Sequence, residues 1–209
     1  MFFAYGEQEM QALREKDHRL GAVIDTLGYL PREADADLFS SVIHKIIGQQ
    51  ISMKAQQTIW QRLQSHLGQV SAQTVCAADL HELQALGMSL RKAGYLKDFA
   101  QQVHSGAFDL EAVKTMSDHD AIAALSSLKG VGVWTAEMIL LFCLQRPDIF
   151  SFGDLAILRG LRMVYHHRQI TQKLFQKYRR RFSPYGSIAS FYLWAVAGGA
   201  IDGMKDYAP

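Results

Sequence analysis

Leu128-Lys129-Gly130-Val131-Gly132-Val133-Trp134-Thr135-Ala136 places two glycines, one apolar residue apart, at the mouth of a run that reads as helix. Glycine tolerates positive φ and lets another backbone approach closely, so this spacing makes a tight turn that opens a helix. The first amides of that helix have no intrahelical acceptor. They stand at the positive end of its dipole, an arrangement suited to a phosphate. Downstream, Phe150-Ser151-Phe152-Gly153 reads as extended chain, and Asp154 opens the next helix.

Outward from this stretch the pattern is helical almost throughout, and strand-like alternation is nearly absent. Val42, Ile43, Ile46 and Ile47 line one face of a helix begun at Asp37 and ended near Gly48. Ser52 caps a second, with Ala55, Ile59, Leu63 and Leu67 along one side and Gly68 as its stop. Ser89 caps residues 90–103, Ser117 or Asp118 caps 122–128, and Thr171 starts a basic helix over 173–182. Pro184 fits the first turn of a last apolar helix through Tyr192, Leu193 and Ala197. About ten helices with short connections follow from these signals. Only residues 1–6 read as irregular or extended. The expected fold class is all-α.

The 209 residues, 49% hydrophobic and 20% charged, suffice for a sizeable core. The longest apolar run, 188–201, contains Ser190, Tyr192 and two glycines and is too short to span a bilayer. No basic stretch leads into an apolar segment at the N-terminus, so the expectation is a cytoplasmic protein without signal peptide or membrane contact. Cys76 and Cys143 are too few for a disulfide framework or a four-cysteine metal site and read as buried thiols. Eight histidines are scattered, and the adjacent His166 and His167 face different ways on a helix, so no catalytic metal is expected. The net charge of +2 hides an asymmetry. No Asp or Glu occurs from Leu155 to Ile201, where Arg159, Arg162, Arg168, Lys173, Lys177, Arg179, Arg180 and Arg181 fall. That segment points to a polyanionic partner, or to a solvated basic helix face.

Five motifs run in one order along the chain. They are Ile47-Gly48-Gln49-Gln50-Ile51-Ser52, Gly87-Met88-Ser89 through Lys92-Ala93, the turn and helix at 128–136, Phe152-Gly153-Asp154, and Ser183-Pro184-Tyr185-Gly186-Ser187 through Trp194. In them the chain resembles the helix-hairpin-helix DNA glycosylase superfamily, and within it the alkylpurine branch of the bacterial 3-methyladenine DNA glycosylase II type. The resemblance implies one glycosylase domain over 1–209. Its two helical lobes, 37–150 and 1–36 with 151–209, would border a DNA-binding cleft. The branch's extra N-terminal β-rich domain is expected to be missing or vestigial here.

By the same resemblance Asp154 is the catalytic residue, stabilising positive charge on the deoxyribose and orienting or deprotonating water. Asp is also a preferred N-cap, and both roles can hold together. Trp134 stands where strand-cutting members carry a nucleophilic lysine, which implies a monofunctional hydrolase without lyase activity. Lys129 precedes the turn and is expected to meet phosphate or solvent. Trp134, Met138 and Tyr185 are the expected walls of a pocket for a base flipped out of the stack. The electron-rich rings of Trp134 and Tyr185 favour cationic N-alkylated purines. Trp60 and Trp194 read as core. Gln50 is placed where the superfamily fills the vacated stack, with capping or loop-bridging as the plainer role for Gln49 and Gln50.

DNA grip is expected from the amides of Gly130, Gly132, Val133 and Trp134 with the Thr135 hydroxyl, and more weakly from Ser89, Lys92, Arg159 and Arg162. The carbonyls of Ser126, Leu128 and Val131 are the expected ligands of a monovalent Na or K ion. No iron–sulfur cluster and no other cofactor are expected.

The resemblance thus implies a type II DNA-3-methyladenine glycosylase acting as a monomer on double-stranded DNA, with no obligate protein partner. It would release 3-methyladenine and 7-methylguanine and leave an abasic site. Two alternatives share the motifs: a glycosylase for hypoxanthine or mismatched uracil, and a non-catalytic DNA-binding module. A pure binder has no reason to set a carboxylate near DNA, where it costs affinity.

Overall fold

Asp37, Ser52, Ser89, Ser117 and Thr171 each stand one residue before a helix, and each side chain accepts from an amide of the first turn. Such caps satisfy donors that the helix itself leaves open. The computed structural model describes residues 1–35 and 37–208. In chain order its helices are α1 Glu7–Lys16, α2 His18–Leu27, α3 Leu38–Gly48, α4 Met53–Leu67 and α5 Ala72–Ala77. Then come α6 Leu80–Ala85, α7 Leu90–His104, α8 Leu110–Thr115 and α9 Asp118–Ser126. The last are α10 Val133–Phe142, α11 Leu155–Tyr165, α12 Gln172–Phe182 and α13 Gly186–Ala197. Among the described residues the only extended pairing is an isolated bridge between Phe2 and Glu33. The protein is all-α. None of these helices is long and apolar enough to cross a membrane.

The chain divides into two units: Asp35–Leu144, and Met1–Ala34 with Gln145–Pro209. The sequence-expected boundary at residue 36 falls on Ala36, outside the described residues. In the first unit α3 packs on α4, α7 and α10, and α9 packs on α10. Val42, Ile43, Ile46, Ile47, Leu96 and Ile139 are its buried centre.

In the other unit α11 packs on α13, which also meets α2 and α12. The α11–α13 approach depends on Gly160, where a Cβ would stand 2.4 Å from the Leu193 carbonyl oxygen. α13 is buried along most of its length, from Ser187 through Leu193.

Two sequence expectations need correction. Thirteen helices are described rather than about ten, because α5, α6 and α8 have six residues each, too short to display a period. Pro184 lies before the N-cap Tyr185 rather than inside the first turn of α13. Asp148 organises that start from outside: its carboxylate accepts from Ser183 Oγ at 2.6 Å and from the Gly186 amide at 3.0 Å.

Candidate active site

Asp154 is the N-cap of α11 and is only 6% exposed. Its Oδ1 accepts from the Ala156 and Ile157 amides, both at 2.9 Å. The same oxygen accepts from the indole Nε1 of Trp194 at 3.1 Å. A buried carboxylate needs such donors, because burying a charge without them is costly. The helix dipole adds to the effect, its positive end facing the carboxylate. Asp154 therefore does cap the helix. The arrangement fixes a negative charge in place, able to stabilise a cation brought beside it. Trp194, expected as core, is half-buried and is part of this site instead. The signal was present in the side chain itself: a buried indole N–H seeks an acceptor.

The hairpin lies in the other unit. Gly130 has φ +84, and a Cβ there would stand 2.4 Å from the Tyr95 ring, so only glycine fits. Gly132 is different. It is the N-cap of α10 with φ −89 and ψ 172, which any residue adopts, and nothing lies within 4 Å of a Cβ built on it. With glycine as N-cap there is no capping side chain, and Gly132, Val133 and Trp134 are exposed.

Trp134, Thr135 and Met138 line a cavity of about 320 Å³ together with His44, Gln49, Gln50 and Gln56. That volume is at the lower end for a small-molecule or nucleobase site. Thr135 and Met138 are buried, while Trp134 is 47% exposed and able to meet a ring. Gln50 is exposed with φ +58, unusual for a residue other than glycine. Trp60 is half-buried and tilted against His44, ring centroids 5.1 Å apart. Tyr185 lies in the other unit, half-buried as the N-cap of α13.

Several expected DNA contacts are committed within the protein. Lys92 Nζ donates to the Ile47 carbonyl at 2.8 Å and to the Gln49 carbonyl at 2.6 Å. Ser89 Oγ caps α7 by accepting from the Lys92 amide at 3.2 Å. Arg162 forms a bidentate pair with Asp206 at 2.7 and 2.6 Å, and Arg159 approaches the same carboxylate at 3.6 Å. Lys129 pairs with Asp98 at 2.7 Å rather than pointing only to solvent. Of the basic segment, Arg179 donates to the Asp148 carbonyl and Arg181 to Asp17, while Arg168, Lys173, Lys177 and Arg180 remain exposed.

Cys76 and Cys143 are half-buried rather than buried, and burial pushes the Cys143 thiol up to about 11. At the proposed cation position the Leu128 carbonyl accepts from the Val131 amide at 3.0 Å. Ser126, whose carbonyl is the third expected ligand, carries a buried hydroxyl with no hydrogen-bond partner.

Residues 43–184 match the family described as HhH-GPD superfamily base excision DNA repair protein. The chain belongs to this superfamily. Among its HhH-GPD relatives, DNA-3-methyladenine glycosylase 1 of Schizosaccharomyces pombe is 31% identical over 164 residues, covering 76% of this chain and 72% of its own length. The crystal structure of a DNA-3-methyladenine glycosidase from Bacillus halodurans superposes with a TM-score of 0.86 at 28% identity, covering 98% of this chain and 95% of that one. The Schizosaccharomyces pombe 3-methyladenine DNA glycosylase Mag1, solved in complex with abasic DNA, gives 0.80 at 26% identity, covering 97% and 100%. The chain spans between 64% and 72% of the length of the first curated relatives it matches.

Proposed function

We propose that this HhH-GPD protein is an alkylpurine DNA glycosylase of base excision repair. It hydrolyses the N-glycosidic bond of bases such as 3-methyladenine and 7-methylguanine and leaves an abasic site. The observation that carries the reading is the Asp154 carboxylate, buried at a helix start and held on one oxygen by two amides and the Trp194 indole. The names of the relatives support the substrate class, and the abasic DNA bound by Mag1 is the product such a reaction leaves.

The chemistry follows from that charge. As the glycosidic bond lengthens, the electron pair leaves with the base and positive charge grows on the deoxyribose. Asp154 stabilises it electrostatically, and the preorganised donors prevent the carboxylate from turning away. Water then adds to the sugar carbon and gives up its proton to the surrounding solvent. Trp134 and Met138 supply the apolar and aromatic wall for the extruded base. An alkylated purine leaves readily because it is already cationic, and that charge also attracts an indole face. Duplex backbone is gripped by the first amides of α10, next to Gly132.

A lyase step needs a neutral amine, and Trp134 offers none. The nearest amine in the turn, Lys129, is held in its charged form, its pKa raised by Asp98. The enzyme is accordingly monofunctional. The carbonyls of Ser126, Leu128 and Val131 would hold a Na or K ion, and Ser126 also carries a buried hydroxyl without a hydrogen-bond partner. A bound ion would supply positive charge at the hairpin. The protein acts as a cytoplasmic or nucleoid-associated monomer on double-stranded DNA.

The test is base release from methylated duplex DNA by the wild type and Asp154→Asn, with strand breaks scored before and after alkali. Asparagine still caps a helix, so the variant isolates the charge. Release by the wild type alone, with breaks only after alkali, is expected. Release by both sinks the role of Asp154. Breaks before alkali sink the monofunctional assignment.

A further inference from the structure

Gln49 is the C-cap of α3 and immediately precedes Gln50. Its backbone and side chain serve two different elements. Its carbonyl and that of Ile47 receive the Lys92 ammonium from the first turn of α7. Its side-chain amide donates to the Gly130 carbonyl at 2.6 Å. One residue thus joins the turn after α3 to α7 and to the hairpin.

Each link has a physical reason. The last carbonyls of a helix lack intrahelical donors and carry the negative end of its dipole, so an ammonium answers both needs. Gly130 is fixed by its positive φ and by Tyr95, itself on α7, so the acceptor of the Gln49 amide cannot drift. Burial lowers the Lys92 pKa, as does Arg91 beside it; a lysine placed to meet a phosphate stands instead in water until DNA arrives. The left-handed backbone of Gln50 is a strained conformation for a residue with a side chain. Such strain persists only where the surroundings impose it.

We infer that Gln49 and Lys92 are positioning residues that hold Gln50 at a set distance from the hairpin, so that the side chain entering the DNA stack and the amides gripping the backbone move as one piece. This rests on the glycosylase reading above, and it removes Lys92 from the residues that touch phosphate.

The variants are Gln49→Leu, Lys92→Met, their combination, and Lys92→Arg. Three readouts separate the causes. Salt dependence of binding to undamaged duplex reports phosphate contacts. Fluorescence of 2-aminopurine beside an abasic-site analogue reports stack insertion. Single-turnover release from methylated duplex reports chemistry. Expected are a loss of the fluorescence change and a fall in release of about 10²-fold in both single variants, the cost of a displaced contact. The combination is no worse than either, since both act through Gln49. The salt slope is unchanged, and Lys92→Arg recovers most of the loss.

A salt slope smaller by about one in Lys92→Met, with all duplexes weakened evenly, makes Lys92 a phosphate contact and overturns the inference. So does wild-type fluorescence and release in Gln49→Leu, which loses one side-chain hydrogen bond and decides the matter should Lys92→Met not fold. A wild type that releases no base refutes the glycosylase reading instead, and the fluorescence arm still judges the link.

Discussion

Trp194 donates its indole N–H to Asp154 Oδ1 across 40 residues of chain, making α13 part of the support of a carboxylate on α11. The reach is set one residue earlier. Leu193 presents its carbonyl oxygen against Gly160, and only the missing Cβ lets the two helices come that close. The small residue on one helix and the indole on the other are therefore parts of a single device that aims one oxygen of Asp154.

Trp194→Phe tests that device. Phenylalanine keeps most of the ring's packing and removes the donor. A hydrogen bond to a charged group contributes about 1.5–3 kcal/mol, so base release should fall tenfold or more. Affinity for undamaged duplex should stay at the wild-type value, because the loss is confined to the aim of the charge. Equal release by both proteins would show the bond to be incidental.

The two hairpin glycines should respond in opposite ways. Gly130→Ala forces a Cβ into the Tyr95 ring at positive φ, a strain of about 1–3 kcal/mol, and lowers the melting temperature. Gly132→Ala meets nothing within 4 Å and keeps an ordinary backbone, so the melting temperature should hold or rise slightly. Its cost should appear in duplex affinity, where the methyl group obstructs the approaching backbone. Thermal melting and DNA titration on the two variants separate folding from grip.

These contrasts mark what the sequence could and could not reveal. Asp37, Ser52, Ser89, Ser117 and Thr171 were legible as helix starts because capping is local chemistry, complete within four residues. The glycine-turn-helix stretch and Asp154 were legible for the same reason. Trp194, Gln49 and Lys92 were not, because their partners lie 40, 81 and 43 residues away and no local period encodes them. Arg162 misled in the same manner: its side chain on α11 looked free for phosphate, while Asp206 was already folded onto it. Pro184 misled because Asp148 supplies the start of α13 from elsewhere.

Trp134→Leu distinguishes the substrate classes that share these motifs. Leucine retains an apolar wall and loses the electron-rich face. Attraction of a cation to an indole is about 0.5–2 kcal/mol, so release of cationic 7-methylguanine should fall several-fold more than release of neutral hypoxanthine. Competition assays on duplexes carrying each lesion measure the ratio directly. An equal fall for both would mean that the pocket reads shape and not charge, and would favour a neutral lesion.

Stability should depend on pH through His44. Burial lowers its pKa below 6.5, and Lys45 lowers it further against a weaker opposing pull from Asp35; its Nε2 is buried without a partner. A histidine depressed in the folded state takes up its proton more readily when unfolded. Its contribution is therefore complete above the unfolded value of 6.5 and is lost as pH falls toward the folded one. His167 shifts in the same direction, through burial first and then Arg19, His166 and Lys177. The lowered carboxylates Asp98 and Asp206 titrate below 3.8 and stay out of this window. Melting curves between about pH 7.5 and 5.5, which bracket the histidine range, should show the wild type losing stability as acid is added. His44→Gln should lose less, the remainder belonging to His167. An identical slope in the two proteins would mean that the buried imidazole finds a partner in both protonation states, and would remove His44 from the account of acid sensitivity.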